Sequence, residues 1–178
     1  LEDTFLSAAA ALDDSQLEQL IHAYWNDVWN YAYVLTRDRE ASEDLAQETF
    51  IRAFRSLSTF RGQSSYRTWL LRIVRHLVIN HNRRSGLLRL LIQGGRIPLG
   101  GNPLSAEAEF WRVQEIDDIW RQVLQLPGKL REALLLSAKY GMSMAEIAEF
   151  LGIPEGTVKS RLNRARQRMT EWLKGEGE

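Results

Sequence analysis

Apolar residues recur along this chain at helical spacing almost from end to end. Leu17, Leu20, Ile21, Tyr24, Trp25 and Val28 follow steps of three and four, which predicts a first amphipathic helix. After the polar break "TRDRE", a second helix is predicted from near Ala41, with Leu45, Ala46, Phe50, Ala53, Phe54 and Leu57 facing inward. "STFRGQSS" interrupts the pattern. The long segment "YRTWLLRIVRHLVINHNRR" then carries Trp69, Leu70, Ile73, Leu77 and Val78 as its predicted core stripe. Further on, "WRVQEIDDIWRQVLQL" is amphipathic up to Pro127, and "KLREALLLSAKY" runs to Gly141. No alternating strand pattern competes, so the chain is predicted to be all-α.

The stretch "SGLLRLLIQGGRIPLGGNPLS" breaks this regularity with five glycines and two prolines. Glycine and proline at that density stop helices, which predicts a flexible linker over 86–106. It divides the chain into a helical domain at 17–85 and another at 107–173, with an extension at 1–16 and a tail at 174–178. The apolar "LLRLLI" inside the linker either prolongs the preceding helix or docks on a partner.

The last two helical segments have the punctuation of a helix-turn-helix. Ser143 is a natural N-cap and Glu146 completes a capping box. Gly152 suits the left-handed turn that ends the first helix, and Pro154 suits the start of the second. Val158, Leu162, Ala165 and Met169 form the inner stripe of that second helix. At about 100° per residue, the opposite face presents Thr157, Ser160, Asn163, Arg164 and Gln167. Lys159 and Arg166 flank it on one side, Arg161 and Arg168 on the other.

Charge sharpens this picture. The net charge is zero, yet residues 1–48 hold eleven acids against two bases, and residues 49–106 hold ten arginines and no acid. Residues 157–168 add five bases, again with no acid. Two basic blocks set between acidic ones point to two surfaces that meet a polyanion. The first block mixes arginines with Phe60, Tyr66 and Trp69, a combination suited to unpaired bases. The second lies on the helix that a major groove would admit. On the second helix of the chain, Asp44, Gln47, Glu48 and Ile51 share a face opposite the core stripe.

Other functions find little support. The chain has no cysteine, which excludes thiolate metal sites and suits a reducing cytoplasm. It shows neither a membrane-length apolar run nor the basic start of a signal peptide. There is no glycine-rich phosphate loop and no nucleophile–base pair. His22, His76 and His81 are scattered, so neither a metal, a cofactor nor a small-molecule substrate is implied, and the chain does not read as an enzyme. A stand-alone helix-turn-helix regulator with a helical sensor or dimerisation domain would explain the second basic block. It would not explain the arginine–aromatic block beside the "DLAQE" face.

Three motifs in order resemble the extracytoplasmic-function group of the sigma-70 family, the promoter-recognition subunits of bacterial RNA polymerase. They are "EDLAQETFIRAF", "FRGQSSYRTWLLRIVRH", and "LPGKLREALLL" leading into "SMAEIAEFLGIPEGTVKSRLNRAR". The resemblance spans about residues 17–173. It implies that Asp44, Leu45, Gln47 and Glu48 bind the β′ clamp helices of core RNA polymerase. It implies that the segment containing Arg61, Tyr66, Trp69, Arg72, Arg75, His76 and Asn80 opens and captures the −10 element of promoter DNA. The C-terminal domain would dock on the β flap and read the −35 element. Lys159, Ser160, Asn163 and Arg164 match base-reading positions, and Thr157 and Arg161 phosphate-side ones. An anti-sigma factor is the further partner the family implies. Two positions depart from the family pattern, His76 where asparagine is frequent and Asn80 where aspartate is common. The linker also lacks the acids that sigma linkers often carry.

Overall fold

The periodicity is realised as helices. The computed structural model describes residues 14–57, 60, 62, 64–92 and 118–175. These form seven helices: α1 (Asp14–Thr36), α2 (Arg39–Ser56), α3 (Tyr66–Ile92), α4 (Asp118–Gln125), α5 (Gly128–Ala138), α6 (Met144–Leu151) and α7 (Glu155–Gly175). Chain contacts divide them into two units, Leu1–Leu99 and Gly100–Glu178. The fold is all-α, as the periodicity predicts, with no strand among the described residues.

In the first unit each of the three helices packs on the other two. Val28, Tyr31 and Ala32 of α1, Ala46, Phe50 and Ala53 of α2, and Leu70, Leu71, Val74 and Val78 of α3 make the core. Trp25 stacks on Phe50 at 5.8 Å between ring centroids, tying α1 to α2. The turn between those helices is closed by polar groups. Asp38 caps α2 by accepting the Ala41 N–H at 3.0 Å, and the Thr36 and Ser42 hydroxyls pair at 2.9 Å.

Three expectations are corrected here. The buried stripe of α3 uses Leu71 and Val74 in place of Trp69 and Ile73, which are only half-buried. Packing against two helices at once makes the buried arc wide, and Trp69 stands at its edge. Phe54 is likewise half-buried rather than interior. Lastly, the linker bound at 86 moves, because α3 passes through Gly86 and continues to Ile92, so "LLRLLI" prolongs the preceding helix, the first of the two roles expected for it. A single exposed glycine costs a helix only about 0.8–1 kcal/mol, too little to end one by itself. The remaining linker residues 93–106 lie outside the described residues, as do 1–13 and the side chain of Leu17.

In the second unit α7 packs on α4, α5 and α6. Its core includes Leu124, Leu126, Leu135, Leu136, Ile147, Val158 and Leu162. One charge is interior: Arg131 is only 6% exposed, and its Nη1 donates to the Leu124 carbonyl at 2.6 Å. That carbonyl sits in the last turn of α4, where backbone acceptors lack helical partners and a cation is favoured.

The α6–α7 turn follows the sequence signals closely. Ser143 Oγ accepts the Glu146 N–H at 3.3 Å, while Glu146 Oε2 accepts the Ser143 N–H at 2.8 Å. Gly152 caps α6 at φ 67° and ψ 42°, a conformation natural to glycine. Pro154 stands one residue ahead of α7, and its carbonyl accepts the N–H groups of Thr157 and Val158.

The capping box has a pH signature. Hydrogen bonds from the Ser143 backbone, then from its hydroxyl, hold the Glu146 carboxyl below its ordinary value of 4.5. A depressed carboxylate stabilises the fold fully above that value and loses its contribution as the pH falls through the lowered one. Ser143→Ala should cost about 1 kcal/mol at neutral pH. Glu146→Gln should be less stable than the parent at pH 7, and the difference should shrink at a pH well below 4.5. Urea titrations at the two pH values check both; a pH-independent gap would remove the ionised Glu146 from the account.

Candidate nucleic-acid interface

A strongly charged surface lies on α7. Val158, Leu162, Ala165 and Met169 are buried as the periodicity predicts, which fixes the rotation of the helix. Lys159, Ser160, Asn163, Arg164, Arg166, Gln167 and Arg168 are consequently exposed, and Thr157 and Arg161 are half-buried at the flank. Ser160 Oγ turns back to the Thr157 carbonyl at 3.4 Å, a weak bond that a better partner can displace. Among the described residues, none of Lys159, Arg161, Arg164, Arg166 and Arg168 forms an ion pair or side-chain hydrogen bond. Five cations on one helix therefore stand unneutralised, around polar side chains of the right length to reach base edges.

The first unit offers a second, different surface on α3. Trp69, Arg72, His76 and Asn80 follow one another at three- and four-residue steps, opposite the buried Leu70, Val74, Leu77 and Val78. Arg75 lies to one side of that row. At the start of the helix, Phe60 packs on Tyr66 at 4.8 Å and on Trp69 at 4.9 Å between ring centroids. Tyr66 remains 44% exposed, so the cluster presents an aromatic edge to solvent. Arg61 lies outside the described residues.

Sequence reasoning missed what holds this helix. Arg67 Nε donates to Asp27 Oδ2 at 2.8 Å, and its guanidinium lies 5.9 Å from the Tyr24 ring centroid. One arginine of the basic block is thus committed to joining α3 to α1. Nothing in the spacing of Arg67 separates it from its neighbours, since its partners lie forty residues earlier.

The acidic face of α2 is where the sequence puts it, with one correction. Asp44 and Gln47 are exposed, and Glu48 is ion-paired to Arg52 at 2.6 Å on the surface. Ile51 stands 47% exposed beside them, an apolar residue with charged neighbours. Leu45, however, is 8% exposed. Its side chain lies in the core of the unit.

No helix among the described residues is long and apolar enough to cross a membrane, and no cluster of three potential ligands could hold a metal ion there.

Both units match known protein families. Residues 20–87 match the family of sigma-70 region 2, and residues 116–169 match a family of sigma-70 region 4. The ECF RNA polymerase sigma factor SigC of Mycobacterium tuberculosis is 35% identical over 167 residues, covering 92% of this chain and 86% of the relative. The ECF RNA polymerase sigma-E factor of Haemophilus influenzae is 33% identical, covering 87% and 86%. Among solved structures, the sigma factor RpoE of Bartonella quintana, crystallised with the anti-sigma factor NepR, aligns with a TM-score of 0.70 at 26% identity. That alignment covers 89% of this chain and 97% of RpoE. CnrH, solved in complex with the cytosolic domain of CnrY, shares the fold with a TM-score of 0.62 at 24% identity, over 97% and 96% of the two chains.

Proposed function

Because the chain belongs to the extracytoplasmic-function group of the sigma-70 family and so acts as an alternative sigma factor, we propose that its three surfaces divide promoter recognition among them. The face of α2 carrying Asp44, Gln47 and Glu48 docks on the β′ clamp helices of core RNA polymerase, with Ile51 as its apolar contact. Leu45 serves that face from behind, by holding α2 in the core. The α3 surface and its aromatic cluster open the −10 element and hold unpaired bases. Each base stacked on an aromatic ring contributes about 1–3 kcal/mol, enough for a few stacked bases to offset a local opening of the duplex. The C-terminal unit docks on the β flap and sets α7 in the major groove of the −35 element. Ser160, Asn163 and Arg164 address base edges there, Lys159 works from the rim, and Thr157 and Arg161 lie against phosphates.

The observation that carries this reading is the unneutralised cation row on α7, since a helix in no contact with polyanion gains nothing from five unpaired positive charges. The protein acts without catalytic chemistry of its own, in the cytoplasm where the polymerase works. An anti-sigma factor that covers the polymerase- and DNA-facing surfaces is the regulator this arrangement suits.

Transcription in vitro with purified core polymerase and a promoter library tests the whole reading. The protein should confer initiation at a defined class of promoters, and failure to associate with core polymerase at moderate salt would refute it. Reversing charge at Asp44 and Glu48 together should sharply reduce retention on immobilised core polymerase while the helical circular dichroism is unchanged. Normal retention of that double variant would place the docking face elsewhere.

A further inference from the structure

The first turn of α3 carries rings assigned above to unpaired bases, yet it stands outside the core. None of Tyr66, Arg67, Thr68 and Trp69 is buried, and Leu70 is the first residue of the helix that is. Burial alone therefore does not fix where this turn sits. Its shape is set locally: the Ser65 hydroxyl accepts the Thr68 N–H at 3.2 Å, and the Ser65 carbonyl accepts the Trp69 N–H at 3.0 Å. Its position is tied to another helix through Arg67, whose Nε donates to Asp27 Oδ2 at 2.8 Å and whose guanidinium lies 5.9 Å from the Tyr24 ring centroid, both on α1. We propose that Arg67 and Asp27 are a positioning pair for promoter opening, holding the Phe60–Tyr66–Trp69 cluster where it receives unpaired bases of the −10 element. This role rests on the assignment of α3 as the base-holding helix, and adds to it two residues that act without touching a base.

Charge singles out Arg67 first. The N-terminus of a helix is its positive pole and disfavours a cation. Arg67 is the second residue of α3, whose first turn holds no acid. It is a local misfit that a carboxylate forty residues earlier makes good. Direction comes next. Asp27 and Tyr24 are three residues apart, hence neighbours on one face of α1. A carboxylate and a ring face together leave the planar guanidinium little freedom. Arg67 also directly follows Tyr66 and shares a turn with Trp69, and both rings pack on Phe60, at 4.8 Å and 4.9 Å between centroids. A tilt of that turn about its first core contact, Leu70, carries the cluster with it. Stability is not what the pair chiefly contributes. Arg67 is 49% exposed and Asp27 20%, and an ion pair so open to water adds little to a fold. Its loss should displace the rings without unfolding the unit.

The test uses the whole chain in complex with core polymerase. The probe is a labelled single-stranded oligonucleotide, the non-template −10 strand of a promoter selected in the transcription assay above. Asp27→Asn and Arg67→Gln should each weaken strand binding about fivefold, the lower end of what one stacked base contributes. Retention on core polymerase and helical circular dichroism should not change. The sign for Asp27→Asn is diagnostic, because removing an acid ordinarily raises affinity for a polyanion. The exchanged pair, Asp27→Arg with Arg67→Asp, should recover most of the binding. If Asp27→Asn binds as well as the parent or better, while Arg67→Gln lowers the salt slope by about 0.7, Arg67 is a phosphate contact and the positioning role is overturned. Parent-like strand binding by both single variants overturns it as well. So does an equal loss of core-polymerase binding or of helical signal, which would make the pair a support for the whole unit. Tyr66→Ala and Trp69→Ala separate the two levels. If they lose the strand while the pair variants are silent, only the positioning role fails; if they too are silent, the assignment of α3 fails with it.

Discussion

Ile147→Ala should remove about 2–5 kcal/mol from the stability of the C-terminal unit. Ile147 is fully buried on α6, which packs against both α5 and α7. Truncation deletes three heavy atoms there and leaves a cavity that three converging helices cannot close. The unit's described part is only about 60 residues long. At roughly 0.05–0.15 kcal/mol per residue, a domain of that size holds about 3–9 kcal/mol in total, so one methyl-rich side chain is a large share of it. Promoter recognition through α7 should fall with it, since α6 braces the reading helix. Met144→Ala on the same helix is the control: Met144 is 45% exposed, and its loss should change stability by less than about 0.5 kcal/mol. Denaturant unfolding followed by tryptophan fluorescence measures both, and equal midpoints would contradict the packing described for α6.

The second large effect falls on recognition. Arg164→Ala should reduce discrimination between a matched and a scrambled −35 element by about 1–3 kcal/mol, roughly 5- to 150-fold. Arg164 is exposed opposite Val158 and Leu162, and a guanidinium there can give a guanine two parallel hydrogen bonds. Arg166 is exposed too, but it is rotated toward the flank. Arg166→Ala should weaken all sequences alike and lower the salt slope by about 0.9 if the side chain meets a phosphate. Transcription from matched and scrambled templates separates the two. Equal, sequence-blind losses for both variants would remove base reading from Arg164.

The surface that these variants probe was legible in the sequence because its cause is local. Val158, Leu162, Ala165 and Met169 dictate which side of α7 is buried, and the capping box and Gly152 fix where the helices begin and end. All those signals lie within one or two turns of the residues they place. The features that were not legible depend on partners distant in the chain. Arg67 looks like any other arginine until Asp27 and Tyr24 are beside it. Trp69 has the spacing of a core residue, yet Phe60 holds it at the rim. Leu45 matched a docking position and an inner position at once, and only packing decides between them. Arg131 carries the charge of a surface residue and is interior because the Leu124 carbonyl, seven residues earlier, needed a donor. The end of α3 was left open in the sequence, because Gly86 is a genuine breaker and "LLRLLI" beyond it could either continue the helix or leave it; the helix continues to Ile92.

The unneutralised row on α7 also bears on how the protein lives between rounds of transcription. Arg161 and Arg164 are three residues apart and Arg164 and Arg168 four, so like charges face each other along the helix. Each such pair weakens a helix by about 0.2–0.5 kcal/mol, and dissolved salt relieves the strain. Under the proposed function, salt also competes for the phosphates that the row would meet. The free protein is therefore best folded under the ionic conditions in which it holds DNA least well. A polyanion relieves the repulsion too, and a ligand that binds only the folded chain stabilises it by mass action. On the proposed function, promoter DNA is then more than the address at which the protein arrives: while bound, it also serves as the counterion of the α7 row and adds to the stability of the fold.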